Sequence, residues 1–187
     1  MKHLTSIAAS AAVLLTAGAA SAQTPSWYFQ GAAGATFASG LGGTPNRSGD
    51  AGWTIGGQVG QDFGNGWRAD VEGLYLEARN GNGAPGDAQV GGGFVNGYYN
   101  FNHGRAWQPF IGVGVGGADV RSLGAEDGGF AYQVKVGLDH PFNDRLTGEI
   151  AYRFLGVPGL RDEGPGGIHG DYHTSEVTVG LRYRFGP

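Results

Sequence analysis

The stretch VTVGLRYRFGP (residues 177–187) alternates strictly up to Phe185 and then breaks at Gly186 and Pro187. Val177, Val179, Leu181, Tyr183 and Phe185 fall on one side, Thr178, Gly180, Arg182 and Arg184 on the other. A period of two is that of a β-strand, whose successive side chains point to opposite faces. One face of this strand therefore meets an apolar medium and the other meets ions.

Seven more segments carry the same alternation: WYFQGAAGATFA (27–38), WTIGGQVGQDF (53–63), WRADVEGLYLEA (67–78), VGGGFVNGYYNF (90–101), PFIGVGVGGADV (109–120), FAYQVKVGLD (130–139) and RLTGEIAYRFL (145–155). With TSEVTVGLRYRF (174–185) they make eight, each near the ~9–11 residues a tilted strand needs to cross a bilayer. The connections alternate too. Those at 64–66, 102–106 and 140–144 are tight, whereas the intervening ones, ASGLGGTPNRSGDAG, ARNGNGAPGDAQ, DVRSLGAEDGG and the one before Thr174, are long and rich in Gly, Pro and charge. Short turns on one side and long loops on the other fit a barrel of the outer membrane. The expectation is all-β: an eight-stranded antiparallel up-and-down transmembrane barrel.

Composition agrees with export and with one domain. MKHLTSIAASAAVLLTAGAASAQ has a basic start at Lys2, an uncharged run to Ala20 and small residues at Ala20 and Ala22, the pattern of a secretory signal over residues 1–22, cleaved before Gln23. Its apolar run is too short for a helical anchor. Residues 23–187 then form the barrel domain. With no cysteine, a disulfide-stapled scaffold is excluded, and a net charge of −4 argues against a nucleic-acid partner. The 39 glycines show no collagen triplet.

Parity assigns the faces. Val71 and Tyr75, or Ile150, Tyr152 and Phe154, oppose Arg68, Asp70 and Glu72, or Glu149 and Arg153. Bulky aliphatics around the circumference suit lipid, and eight strands leave an interior only wide enough for side chains. The predicted lumen charge network is Asp62, Arg68, Asp70, Glu72, Lys135, Asp139, Glu149, Arg153, Glu176, Arg182 and Arg184, accompanied by Gln58, Asn96, Asn100 and Gln133. Its signs nearly balance, so a salt-bridged plug is expected, a gated ion path being the alternative that glycines at 112, 114, 116, 137 and 180 could support by leaving watery pockets. Trp27, Trp53, Trp67 and Trp107 sit at strand starts, with phenylalanines near strand ends, as in the aromatic girdles of the two interfaces.

VNGYYNF, QPFIGVGVGGADV, FAYQVKVGLD, IAYRFLG and VTVGLRYRF, in that order, resemble the strand motifs of the small opacity-type and surface-antigen outer-membrane proteins, whose barrel is similar to the membrane domain of OmpA. The resemblance implies a cell-envelope barrel of a Gram-negative bacterium. It would be inserted by the barrel-assembly machinery, surrounded by outer-membrane lipid and lipopolysaccharide, and exposed to host or environmental ligands. It implies an adhesive or antigen-like surface role, no cofactor and no catalysis, with Tyr183 and Phe185 as the aromatic assembly signal and Gly186 and Pro187 as a departure from it.

Two patterns in HGDYHTSE (169–176) stand beside that reading. His169, Asp171 and His173 share one side of an extended chain and could ligate zinc. His173 and Ser175 resemble the His-x-Ser pair of the outer-membrane lipid A deacylases, although Glu176 follows where that family has Asn. A solvated polar loop is the simpler account of both.

Overall fold

The computed structural model describes residues 25–41, 52–78, 88–122, 125–161 and 169–185. The signal segment and the Gly186-Pro187 end lie outside these. Eight strands follow one another: β1 (Ser26–Leu41), β2 (Gly52–Asp62), β3 (Trp67–Ala78), β4 (Ala88–Asn100), β5 (Gln108–Ser122), β6 (Ala125–Pro141), β7 (Leu146–Arg161) and β8 (His169–Phe185). Each pairs antiparallel with the next and β8 pairs with β1, so the barrel is closed. Closure gives every ladder a partner, which is what a sheet in lipid requires.

The register fixes the shear. Moving from partner to partner, Ser26 leads through Asp62, Arg68, Tyr98, Gly112, Lys135, Arg153 and Glu176 back to β1 at Thr36, ten residues further along the strand. Such a stagger tilts the strands by about 35–45°. It also arranges five predicted lumen ions, Asp62, Arg68, Lys135, Arg153 and Glu176, along one spiral from the short-turn end to the opposite end.

The short-turn end is built by local chemistry. Gly64 and Gly66 (φ 75° and 91°) and Asn102 and Gly104 (φ 54° and 81°) take the left-handed conformations that tight reversals need. Asp62 Oδ1 accepts from Gly64 N at 2.9 Å, and Asn143 Oδ1 accepts from Arg145 N and Leu146 N at 2.9 and 2.8 Å.

The opposite end departs from the sequence reading in two ways. First, strands run beyond the expected segments. DVRSLGAEDGG, expected as a long loop, is mostly hairpin, with Arg121 opposite Glu126 and Ser122 opposite Ala125. The sequence of this extension lacks the period-two alternation, so pairing persists without a pattern to announce it. Second, the β6–β7 ladder stops at Tyr132 and Gly156, while β7 stays paired to β8 as far as Arg161. Around Pro158 and Gly159 β7 bulges; Gly159 has φ 73° and its N–H donates to Asp171 Oδ1 at 2.9 Å. Proline has no N–H for a ladder, and the Asp171 carboxylate takes up its neighbour's.

Candidate functional site

The wall divides the side chains by parity. Val179 is 60 % exposed and Thr178, its neighbour, 4 %. Phe29, Ile55, Val59, Val71, Ile111, Val113, Val136, Ile150 and Leu181 are likewise exposed on the outer face. At the short-turn rim Trp67, Tyr99 and Phe101 pack ring on ring at 5.0 Å, and Trp107 lies 4.5 Å from the His140 ring. At the other rim Trp53 packs on Tyr75 (5.5 Å), Phe37 on Tyr152 (6.1 Å) and Phe154 on Tyr132 and His173 (6.3 Å each). Trp27 faces Phe185 across the β1–β8 seam. Three of the four tryptophans thus mark the short-turn rim and Trp53 the opposite one. Between them Trp27 and Phe37 are ten residues apart on one tilted strand, or about 25 Å of height at ~3.3 Å per residue, the height of a hydrocarbon band.

Inside, the ions gather around two carboxylates. Glu72 accepts from Lys135 Nζ at 2.8 and 3.0 Å, from Arg153 Nη2 at 2.8 Å, and from Gln133 and Asn96 at 2.6 and 3.0 Å. Closer to the short turns, Asp139 accepts from Arg182 Nη2 and from Asn100 Nδ2, with Arg68 Nη2 at 3.4 Å. Glu149 lies 3.8 and 3.7 Å from Arg68 and Arg182 and accepts from Gln30 at 2.9 Å. Asp70 joins the groups, accepting from Tyr28 and Asn96 at 2.7 Å each. Glu176 lies 3.8 Å from Arg153, and Asp62 pairs with the part-exposed Arg184 at 3.3 Å. Arg68 is further enclosed by the Tyr98 and Phe110 rings, 4.6 and 5.3 Å from its guanidinium carbon. Ten of the eleven predicted lumen ions are buried inside, and Gln58 with them, while Arg184 is part-exposed.

Two features of the lumen differ from the sequence reading. The glycines at 112, 114 and 137 do not leave watery pockets. A Cβ at Gly112 would collide with the Tyr98 ring, at Gly114 with the Asn96 amide, and at Gly137 with the Ile150 carbonyl as well as the Phe110 ring. At Gly116 it would meet the Gly93 carbonyl, and at Gly180 the Gly31 carbonyl at 3.1 Å. In addition, the outer half of the lumen holds one buried apolar cluster, Leu74, Leu76, Val90, Phe94, Ala118, Val120, Ala131, Leu155, Val157 and Tyr172, with Thr174 buried opposite Leu155. Charges fill the lower part and hydrocarbon caps them.

The two patterns of residues 169–176 come out differently. Asp171 is engaged by the bulge, His173 stacks on Phe154, and the side chain of His169 lies outside the described residues. Among the described residues no cluster of three potential ligands gathers for a metal. Ser175 Oγ is hydrogen bonded to Tyr152 Oη at 2.9 Å.

A closed barrel with an apolar outer wall, aromatic rims and an ionic interior defines an integral protein of the Gram-negative outer membrane. Residues 7–185 match the model of the outer membrane protein beta-barrel domain, and the chain belongs to that family. It is 35% identical over 136 residues to an "Outer membrane protein" of Gluconacetobacter diazotrophicus, a match covering 57% of this chain and 36% of that one, so the chain spans about a third of that relative. Among solved structures it is similar to Neisserial surface protein A (TM-score 0.68, 16% identity, 87% of this chain and 100% of that one). It is also similar to the outer membrane protein OprG of Pseudomonas aeruginosa (TM-score 0.51, 12% identity, 88% and 98%). At these identities the likeness is one of fold.

Proposed function

We propose that the protein is a closed, non-catalytic barrel whose work is structural and at the surface: it anchors in the outer membrane, carries a charge-plugged lumen and holds its outer hairpins out to host or environmental ligands. The observation that carries this reading is the filling of the interior. Arg153, Arg182, Tyr28, Phe94, Leu76, Leu155, Gln30 and Gln133 are each almost completely buried, from the lower lumen to the upper. An ion would have to break paired charges and then enter hydrocarbon, and each step is unfavourable. The absence of catalysis is supported by the engagement of Ser175 with Tyr152 and of His173 with Phe154, neither with the other.

Export by cleavage before Gln23 and delivery through the assembly machinery complete the proposal, with Tyr183 and Phe185 as the recognition signal. Phe185 faces Trp27 across the closing seam, and Tyr183 lies opposite Phe29 and Leu146. The test is conductance of the purified full chain in planar bilayers. A plugged barrel gives no discrete current steps; reproducible ohmic steps would make it a channel. Loss of lipid A acyl chains on expression would make it an enzyme.

A further inference from the structure

One surface of the barrel is not filled by its own side chains. A groove of about 820 Å³ runs over the lipid-facing wall from Ile55 on β2, across β1, β8 and β7, to His140 on β6 and Trp107 beside β5. Its course follows from the register. Gly31, Leu181, Gly148 and His140 are successive partners in one row, with the Phe142 ring lying over Gly148. The next row, Ile55, Ala33, Val179, Ile150 and Leu138, stands above it. A Cβ added at Gly31 would meet nothing within 4 Å, so the floor there is bare backbone.

The groove lies in the hydrocarbon band, and its occupant comes from the bilayer. Its lower mouth is framed by Trp107, His140 and Phe142, whose rings contact one another at the short-turn rim. The two turns meeting at that mouth are joined by His140 Nδ1 and Ala106 O at 2.8 Å. They carry exposed Arg105 and Arg145 against a single acid, Asp144, while the third short turn, residues 63–66, has no charged residue. Cations are therefore concentrated where the groove reaches the interface, and anionic headgroups are drawn to such positions.

We propose that this groove binds one glycerophospholipid of the periplasmic leaflet, with an acyl chain seated over the bare backbone of Gly31 among Ile55, Ala33, Val179 and Leu181 and an anionic phosphodiester headgroup between the Arg105 and Arg145 turns. The site is specific in two respects: the bare floor fits a chain of methylenes, and the turn charges favour a net negative headgroup over a zwitterionic one.

The test uses the full barrel with Trp27, Trp53 and Trp67 replaced by phenylalanine, leaving Trp107 as the reporter, in phosphatidylcholine nanodiscs. Dibrominated phosphatidylglycerol is added in increasing mole fraction and quenching of Trp107 is read. The site predicts quenching that saturates at a low mole fraction, whereas dibrominated phosphatidylcholine quenches in proportion to its abundance. Gly31→Leu, which fills the floor, should return the phosphatidylglycerol curve to proportionality. Gly97→Leu, on another wall with nothing within 4 Å of the new Cβ, should leave it saturating. Arg105→Ala with Arg145→Ala should raise the half-saturating mole fraction about tenfold. Heat-modifiable migration on gels confirms that each variant is folded; Ala33→Leu, on the groove wall, replaces Gly31→Leu if the latter is not. Proportional quenching by both lipids in the parent, or a saturating curve that the folded groove variants leave unchanged, overturns the site. The parent comparison decides alone if neither variant folds.

Discussion

Replacing Glu72 by glutamine isolates the energetics of the plug. The carboxylate accepts hydrogen bonds from both Lys135 and Arg153 and is 1 % exposed, so the substitution leaves two cations facing a neutral amide. Arg153 keeps Glu176, but at 3.8 Å, and Lys135 keeps only the Tyr98 hydroxyl at 3.3 Å as a hydrogen-bond acceptor. Breaking a buried pair by removing one partner costs about 3–5 kcal/mol, because the remaining charge stays desolvated. Glu72→Gln should therefore lose about 3–5 kcal/mol in urea titrations of the barrel in detergent micelles, read by the gel shift between folded and unfolded forms. The informative comparison is Glu72→Gln combined with Lys135→Met, which removes one charge of each sign and leaves Arg153 to Glu176. That double variant should recover most of the loss, since a buried pair replaced by apolar groups of similar size is often close to neutral. A loss below about 1 kcal/mol for the single variant, or a double variant worse than the sum of its parts, would refute the two-cation geometry.

Val179→Arg should cost about 2–4 kcal/mol and impair insertion, since Val179 faces lipid opposite Ile150 and Ala33; equal folding yields for arginine at positions 178 and 179 would overturn the assignment of faces. Phe185→Ala should lower the amount of barrel assembled in cells more than folding into detergent, and equal effects in the two assays would remove its signalling role. Asp171→Ala should leave the Gly159 N–H without its acceptor and cost about 1 kcal/mol in the same titration, with no saturable zinc heat by calorimetry in either form.

The barrel was legible because most of each strand separates two solvents. Where lipid lies on one side and ions on the other, as from Val177 to Phe185, alternation names the strand, its faces and the depth of its charges. The same logic explains what was missed. Leu74, Tyr75 and Leu76 are consecutive, as are Phe154 and Leu155, and these are the places where the lumen itself turns apolar. With hydrocarbon on both sides the period-two signal disappears, so the upper cluster left no pattern. The pairing of a carboxylate with a particular cation was not legible either. Parity gives a side chain its face; the shear of the closed barrel decides which faces meet, and shear is a property of the whole circuit.

The seating of Tyr98 over Gly112 and Asn96 over Gly114 has a consequence for how this sequence can drift. The interior volume is divided between strands, so a gain on one must be matched by a loss on its neighbour. A methyl group at position 112 becomes tolerable only after Tyr98 has shrunk, and a smaller residue at 98 opens a hole that position 112 can then fill. Descendants of such a barrel should change these positions jointly, large with small. The ancestry of the lumen would then be recorded as correlated exchanges between neighbouring strands, while lipid-facing residues vary one at a time.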